Sequence, residues 1–216
     1  MCFSASASFT AGTLLLAMGG VAVHRVRWRR ALAYALIPAL FGVQQLLEGG
    51  LWLSLADPLQ RCGPLLTHAF SAFSQVIWPV YIPVAVVLLE PHPLRCKALL
   101  GSVAAGVVVS LFLLLELTHL QIRSQAQGGH IAYIFPHFHK AIATGLYLLG
   151  ACISPLLSSH RAVRWFGVLI TFSLVMTIAF YSLWFISVWC FFAALTSAAV
   201  LAFSAPDRDT SEPQWR

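Results

Sequence analysis

Seven predominantly apolar runs of about 17 to 26 residues, separated by short polar breaks, make up most of the 216-residue chain. A hydrocarbon core of about 30 Å takes about 20 helical residues to cross, so each run reads as one transmembrane helix. The pattern predicts helices over about 7–24, 31–55, 64–89, 98–119, 137–157, 164–185 and 187–204, the last two joined almost without a loop. Turn signals at Asp57-Pro58, Pro91, Gly128-Gly129 and Pro136 mark the edges. Pro38, Pro79, Pro83 and Pro155 fall inside the runs and predict kinks, because neighbouring helices or waters can satisfy the carbonyls a proline frees. The expected fold is all-α: an integral membrane bundle of seven transmembrane helices over 1–204, followed by a disordered cytoplasmic tail over 205–216.

Composition sharpens this reading. Hydrophobic residues make up 59% of the chain and charged residues 9%, with a mean hydropathy of +0.83. A soluble domain carries about 25% charged residues, so a soluble fold is excluded. The loops are too short to hold a separate catalytic or nucleic-acid-binding domain, and any chemistry must lie within or at the rim of the bundle.

The formal net charge of +6 is unevenly placed. Arg25, Arg27, Arg29 and Arg30 follow the first helix, Arg95 and Lys97 the third, and Arg161 and Arg164 the fifth, with Arg208 and Arg216 in the tail. The alternate side carries only Arg61, Arg123 and Lys140. Cytoplasmic loops are the positive ones, so the amino terminus is expected outside and the carboxyl terminus inside. The first helix lacks a preceding basic region and is read as a retained anchor. The positive charge is therefore topogenic, with an attraction to anionic lipid heads, and is not a nucleic-acid footprint.

With this topology the membrane-embedded polar groups gather at the outer end. Glu48 lies roughly 10 Å deep in the second helix at about 1.5 Å per residue. Gln44, Glu48 and Trp52 form one i, i+4 stripe, with Gln45 beside them. A carboxyl at that depth is costly unless paired, so Glu48 either faces the bundle or is neutral through a raised pKa. At the same level lie His68, with Ser71 and Gln75 on its face, and the Glu116-x-x-His119 pair ending the fourth helix. His130 and Tyr133 lie in the following loop with His137 and His139, which are about 200° apart on a helix, so that at most one faces inward. Cys2, Cys62 and Cys190 fall on the same side.

Imidazole and thiolate suit zinc, copper or iron. The metal candidates are Cys2, His130, Cys190 and Glu48, roofed by the 120–136 loop, with His68, Glu116 and His119 as a secondary set. No CxxC, HExxH or paired ExxH motif is present, and solvated interfacial histidines are the alternative. On the oxidising side Cys2 could instead form a disulfide with Cys62 or Cys190. Glu48 could equally be a structural carboxyl bonded across helices. His24, His92 and His160 read as solvated loop residues, and Cys96 and Cys152 as reduced core or interface residues.

The opening Met1-Cys2-Phe3-Ser4-Ala5, the Gln44-Gln45-Leu46-Leu47-Glu48-Gly49 segment leading to Trp52, Trp78-Pro79 with Pro83, and Ser187-Val188-Trp189-Cys190-Phe191-Phe192 resemble an uncharacterised bacterial multi-pass membrane family, a domain of unknown function. The resemblance covers nearly the whole chain. It implies that Cys2, Gln45, Glu48, Trp52, His130, Tyr133, Trp189 and Cys190 belong to the family's pattern. Better-known seven-helix families do not fit: the only lysines are Lys97 and Lys140, the seventh helix has no histidine, and the only Pro-Gln is Pro213-Gln214.

The expected function is an inner-membrane metalloprotein, an enzyme acting by hydrolysis or redox chemistry on a small-molecule or lipid-derived substrate. Glu48 and Tyr133 are its candidate catalytic residues, and Gln44, Gln45, Trp52 and Trp189 its pocket. Two alternatives stand beside it: a transporter or channel using Glu48, and a non-catalytic scaffold or sensor with a disulfide-stapled amino terminus. The lipid bilayer is the obligatory partner, and small-residue faces such as Gly101 and Gly106 leave a homo-oligomer open.

Overall fold

A computed structural model describes residues 4–57, 62–119, 122–134 and 141–201. Cys2, Arg61, Pro136, His137, His139, Lys140 and the 205–216 tail lie outside the described residues. The chain forms α1 (Ala5–Arg25), α2 (Arg29–Ala56), α3 (Gly63–Leu89), α4 (Pro93–His119), α5 (Ile142–Leu156), α6 (Arg161–Phe180) and α7 (Phe185–Ala199). Of these, α1, α2, α3, α4 and α6 are long and apolar enough to cross a membrane, and α5 and α7 are shorter apolar helices. Exposed Leu, Val, Ile and Phe side chains stud the outer surface, as lipid contact requires.

One segment departs from the all-α expectation. The 120–136 loop contains an antiparallel hairpin of β1 (Arg123–Gln127) and β2 (His130–Ile134), with Gln127 opposite His130. Gly128 and Gly129, at φ 60° and 78°, form its two-residue turn. Such turns need positive φ at both central positions, which glycine supplies without steric cost. Short strands next to polar Arg123, Ser124 and Gln125 gave no apolar alternation for a sequence reading to detect.

Pro38, Pro79 and Pro155 lie beside irregular stretches where side chains bond nearby carbonyls, whereas Pro83 sits in an unbroken helix. Helix α2 breaks at Leu36, just before Pro38, and the Tyr81 hydroxyl donates to the Ala33 carbonyl there at 2.7 Å. In α3 a π-helical stretch, Ala72–Ile77, precedes Pro79. A π turn pairs residue i with the N–H of i+5, and Pro79 has none to give Ser74. Tyr147 supplies it instead, its hydroxyl donating to the Ser74 carbonyl at 2.5 Å. Ser110 donates likewise to the Val76 carbonyl at 2.7 Å. The π stretch Leu149–Ile153 of α5 repeats the device: Pro155 is five residues after Gly150, and Ser154 Oγ donates to the Gly150 carbonyl at 2.5 Å.

Lipid offers little hydrophobic drive for helix pairing, so packing and polar contacts must hold the bundle. Helix α1 lies on α2 through Gly12 and Gly19 against Gly42 and Ala39. A Cβ on Gly12 would fall 3.0 Å from the Gly42 carbonyl oxygen. The tightest crossing is at Pro79, whose carbonyl oxygen would lie 1.9 Å from a Cβ on Gly106 and 2.6 Å from one on Gly150. The core between these contacts is built from Tyr34, Ile37, Phe41, Ile82, Leu99, Phe166 and Ile170, each at most 2% exposed.

At the end of the bundle remote from the hairpin, Glu90 joins the α3–α4 turn to the α5–α6 turn. It accepts the Ser159 N–H at 2.7 Å, the Ser159 hydroxyl and the His92 N–H at 3.3 Å. Arg164 donates to the Ser158 and Ser159 carbonyls at 3.2 and 3.3 Å, and a His160 ring nitrogen meets the Leu89 carbonyl at 3.0 Å.

Candidate functional site

The hairpin closes one end of the bundle. Strand β1 packs on the start of α3 and on α2, and β2 packs on α7 and the turn before it. Thr67 gives its single hydroxyl proton to the Gly63 carbonyl at 2.7 Å, so Ser124 must donate to Thr67 across the 2.7 Å contact that ties β1 to α3. The Tyr133 ring stacks on Phe70 with centroids 4.8 Å apart and planes 9° apart.

Side chains alternate along a strand, so His130 and Tyr133 emerge on opposite faces of β2. Tyr133 turns toward Glu48 and Cys190, close enough to feel the charge of both. Burial pushes its phenol well above the ordinary value, and the neighbouring Glu48 and Cys190 push it further. His130 faces the α6–α7 turn instead, 4.7 Å from the Trp184 ring centroid and 5.6 Å from that of Tyr181. Burial holds its imidazole below the usual value. The structure thus brings Glu48, Tyr133 and Cys190 together and sets His130 to one side.

Below the hairpin, Glu48, Gln44 and Gln45 are fully buried on α2. Ser187 Oγ donates to Glu48 Oε1 at 2.5 Å. Trp78 Nε1 donates to Gln44 Oε1 at 2.6 Å, and its ring stacks on Phe41 at 3.9 Å. That stack belongs to the apolar core with Ile82 and Tyr34. Buried polar atoms with no well-formed hydrogen bond among the described residues include Glu48 Oε2, both side-chain atoms of Gln45 and Tyr133 Oη. Buried polar groups are almost always bonded, so a concentration of orphans marks a place where water or a ligand belongs.

The other candidates fall apart from this cluster. His68 bonds the Pro64 carbonyl of its own helix through Nδ1 at 2.8 Å. Glu116 lines a cavity between helices, whereas His119 is exposed. Trp189 is buried, with its ring 5.6 Å from Tyr147 and 5.5 Å from Phe185. Cys62, Cys96, Cys152 and Cys190 are free thiols. Among the described residues no three His, Cys, Asp or Glu side chains gather to hold an ion. Cys2, the fourth proposed ligand, is outside that set. Ser187 is the functional partner the sequence reading missed. Its signal was the i, i+3 spacing to Cys190, which puts a lone hydroxyl and a thiol on one face of an apolar helix.

Fold and site together define a helical membrane protein with a carboxyl, thiol and phenol chamber capped by a β-hairpin. The chain belongs to a family of unknown function, DUF6629, whose family model matches residues 1–215. No curated protein and no solved structure matches it.

Proposed function

We propose that this is a multi-pass inner-membrane protein of seven transmembrane helices, amino terminus outside, that binds a small-molecule or membrane-dissolved substrate in the capped chamber and exchanges a proton with it through Glu48. One observation carries this reading: Glu48 Oε2 and Tyr133 Oη are buried polar atoms with no well-formed hydrogen bond to a described residue, the Gln45 amide being the polar group nearest to pairing with the carboxyl. A purely structural carboxyl would have both oxygens bonded, because each orphan costs about 1–3 kcal/mol. Ser187 fixes one oxygen and leaves the other for a ligand, with Gln45 and Tyr133 as positioning donors.

The test uses dicyclohexylcarbodiimide, an apolar reagent for carboxyl groups within membranes, on the protein in lipid nanodiscs. Mass mapping is expected to find the adduct at Glu48 in the folded protein. Modification of Glu48 only after unfolding would mean a locked structural carboxyl and would overturn the reading.

A second reading rests on the carboxyl lying near enough to the thiol for its charge to act on it. A zinc, copper or iron ion would be held by Glu48 and Cys190, with Cys2 joining them, and would supply Lewis-acid or redox chemistry. Elemental analysis of protein purified without added metal tests it. Near-stoichiometric metal lost in Cys190→Ser supports the ion, and a wild type below about 0.2 ion per chain removes it.

A further inference from the structure

A cavity opens between α3, α4, α5 and α7, one to two turns inside the hairpin end. It is a narrow cleft open on one side, about 580 Å³ only when that open space is counted in. Its walls are Phe112, Leu113, Leu148, Phe185, Ile186 and Trp189. Its polar lining includes Gln75, Glu116 and Cys190, beside Ser74, Thr144 and Tyr147. Gln75 is 5% exposed, and its Nε2 has no hydrogen-bond partner among the described residues. Cys190 is 4% exposed and belongs to this lining as well as to the Glu48 chamber. The cavity is therefore an apolar slot that becomes polar at the point where it reaches the chamber.

We infer that this slot is the binding site of a neutral single-chain amphiphile, its carbonyl head at Gln75 and Cys190 and its hydrocarbon tail leaving between α4 and α5 toward the lipid. The inference deepens the proposed function by naming the substrate class, and it rests on that reading for what happens at Glu48. The chemistry of the walls selects the class. The Gln75 N–H needs an acceptor, which an ester, amide or ketone carbonyl provides. Glu116 on the wall and Glu48 beyond it disfavour an anionic head, so a fatty-acid anion is the wrong ligand. Aromatic and branched apolar walls at the level of membrane-spanning helices suit a chain already dissolved in the bilayer, whereas a water-soluble solute would have to leave water to enter.

The test is photolabelling in nanodiscs with a monoacylglycerol whose chain carries a diazirine, beside a fatty acid with the same chain. Peptide mapping is expected to place the neutral probe on 112–116, 143–148 and 185–190, with at least fivefold less labelling by the fatty acid. Ala143→Trp fills the slot and is expected to abolish that labelling. Gly145→Trp, on the same helix with open space around it, is the folding control and is expected to leave labelling unchanged. Labelling spread evenly over the outer helix surfaces, or unchanged in Ala143→Trp, overturns the inference. A carbodiimide adduct at Glu48 without slot labelling removes the slot and keeps the chamber. Slot labelling with Glu48 inert keeps the slot as a lipid site and removes the proton chemistry.

Discussion

Ser187 on α7 and Glu48 on α2, 139 residues apart in the chain, share a buried hydrogen bond of 2.5 Å in which the serine hydroxyl donates to Oε1. The contact closes the bundle between its second and last helices, and it leaves Oε2 free. Ser187→Ala strands the whole carboxyl and is expected to destabilise the protein by about 1–3 kcal/mol. Glu48→Gln keeps an acceptor for Ser187 and is expected to cost less. Reversible unfolding in mixed micelles measures both. Equal stability of Ser187→Ala and wild type would show that the carboxyl finds another partner.

The Pro79 carbonyl is where three helices meet most closely. A Cβ at Gly106 would sit 1.9 Å from that oxygen, a distance only backbone movement can relieve. Overpacking of this kind costs about 1–3 kcal/mol and more where backbone is the obstacle. Gly106→Ala is expected to lower the melting temperature sharply. Gly101→Ala, with nothing within 4 Å, is expected to raise it slightly by removing a flexible residue from a helix. A similar response of both variants would place α4 differently against α3.

Much of this was legible in the sequence because a bilayer leaves few solutions. Run length located the helices to within about five residues, and Pro38, Pro79 and Pro155 lie beside irregular stretches whereas Pro83 sits in an unbroken helix. Glu48, Tyr133 and Cys190 were legible as one neighbourhood because charge placement put them at one end. Two things were not. The hairpin was read as a loop, since its strands are too short and polar to alternate. His130 was grouped with Glu48 because sidedness resolves an end of the bundle, not a face of a strand: three residues from Tyr133 in the same strand, it points the other way. The Glu90 clasp was also invisible, because its partners at Ser159 are backbone and hydroxyl groups with no motif.

Glu90 makes a pH prediction. Burial raises its carboxyl, but the Ser159 hydroxyl and N–H, the His92 N–H and the charge of His160 outweigh that and hold it below its ordinary value of 4.5. A carboxyl lowered on folding contributes stability that is fully present above its unfolded value and is lost as pH falls through the folded value. Wild type minus Glu90→Gln is therefore expected to be a constant positive stability from pH 7 down to about 5, shrinking progressively below that. Thermal unfolding across pH 3 to 7 for the pair checks it. A difference that instead grows on acidification would mean that the carboxyl is raised on folding.

The hairpin makes access to the chamber depend on two glycines. Gly128 and Gly129 hold positive φ, and a Cβ on Gly128 would also lie 3.1 Å from Cζ2 of Trp184, the ring that His130 packs against. A left-handed conformation costs a non-glycine residue about 1–2 kcal/mol, roughly a tenfold change in how often the cap opens. Cys190 reports the opening, because it is 4% exposed beneath the cap whereas Cys62 is exposed outside it. Gly128→Val is expected to speed maleimide labelling of Cys190 by about tenfold while Cys62 labels at its wild-type rate. Thr67→Val removes the acceptor of the Ser124 bond and is expected to act in the same direction with a smaller effect, about 1 kcal/mol. If both variants left Cys190 labelling unchanged, reagent would be reaching the thiol through the lateral slot, and the hairpin would be a fixed roof over a chamber entered from the membrane.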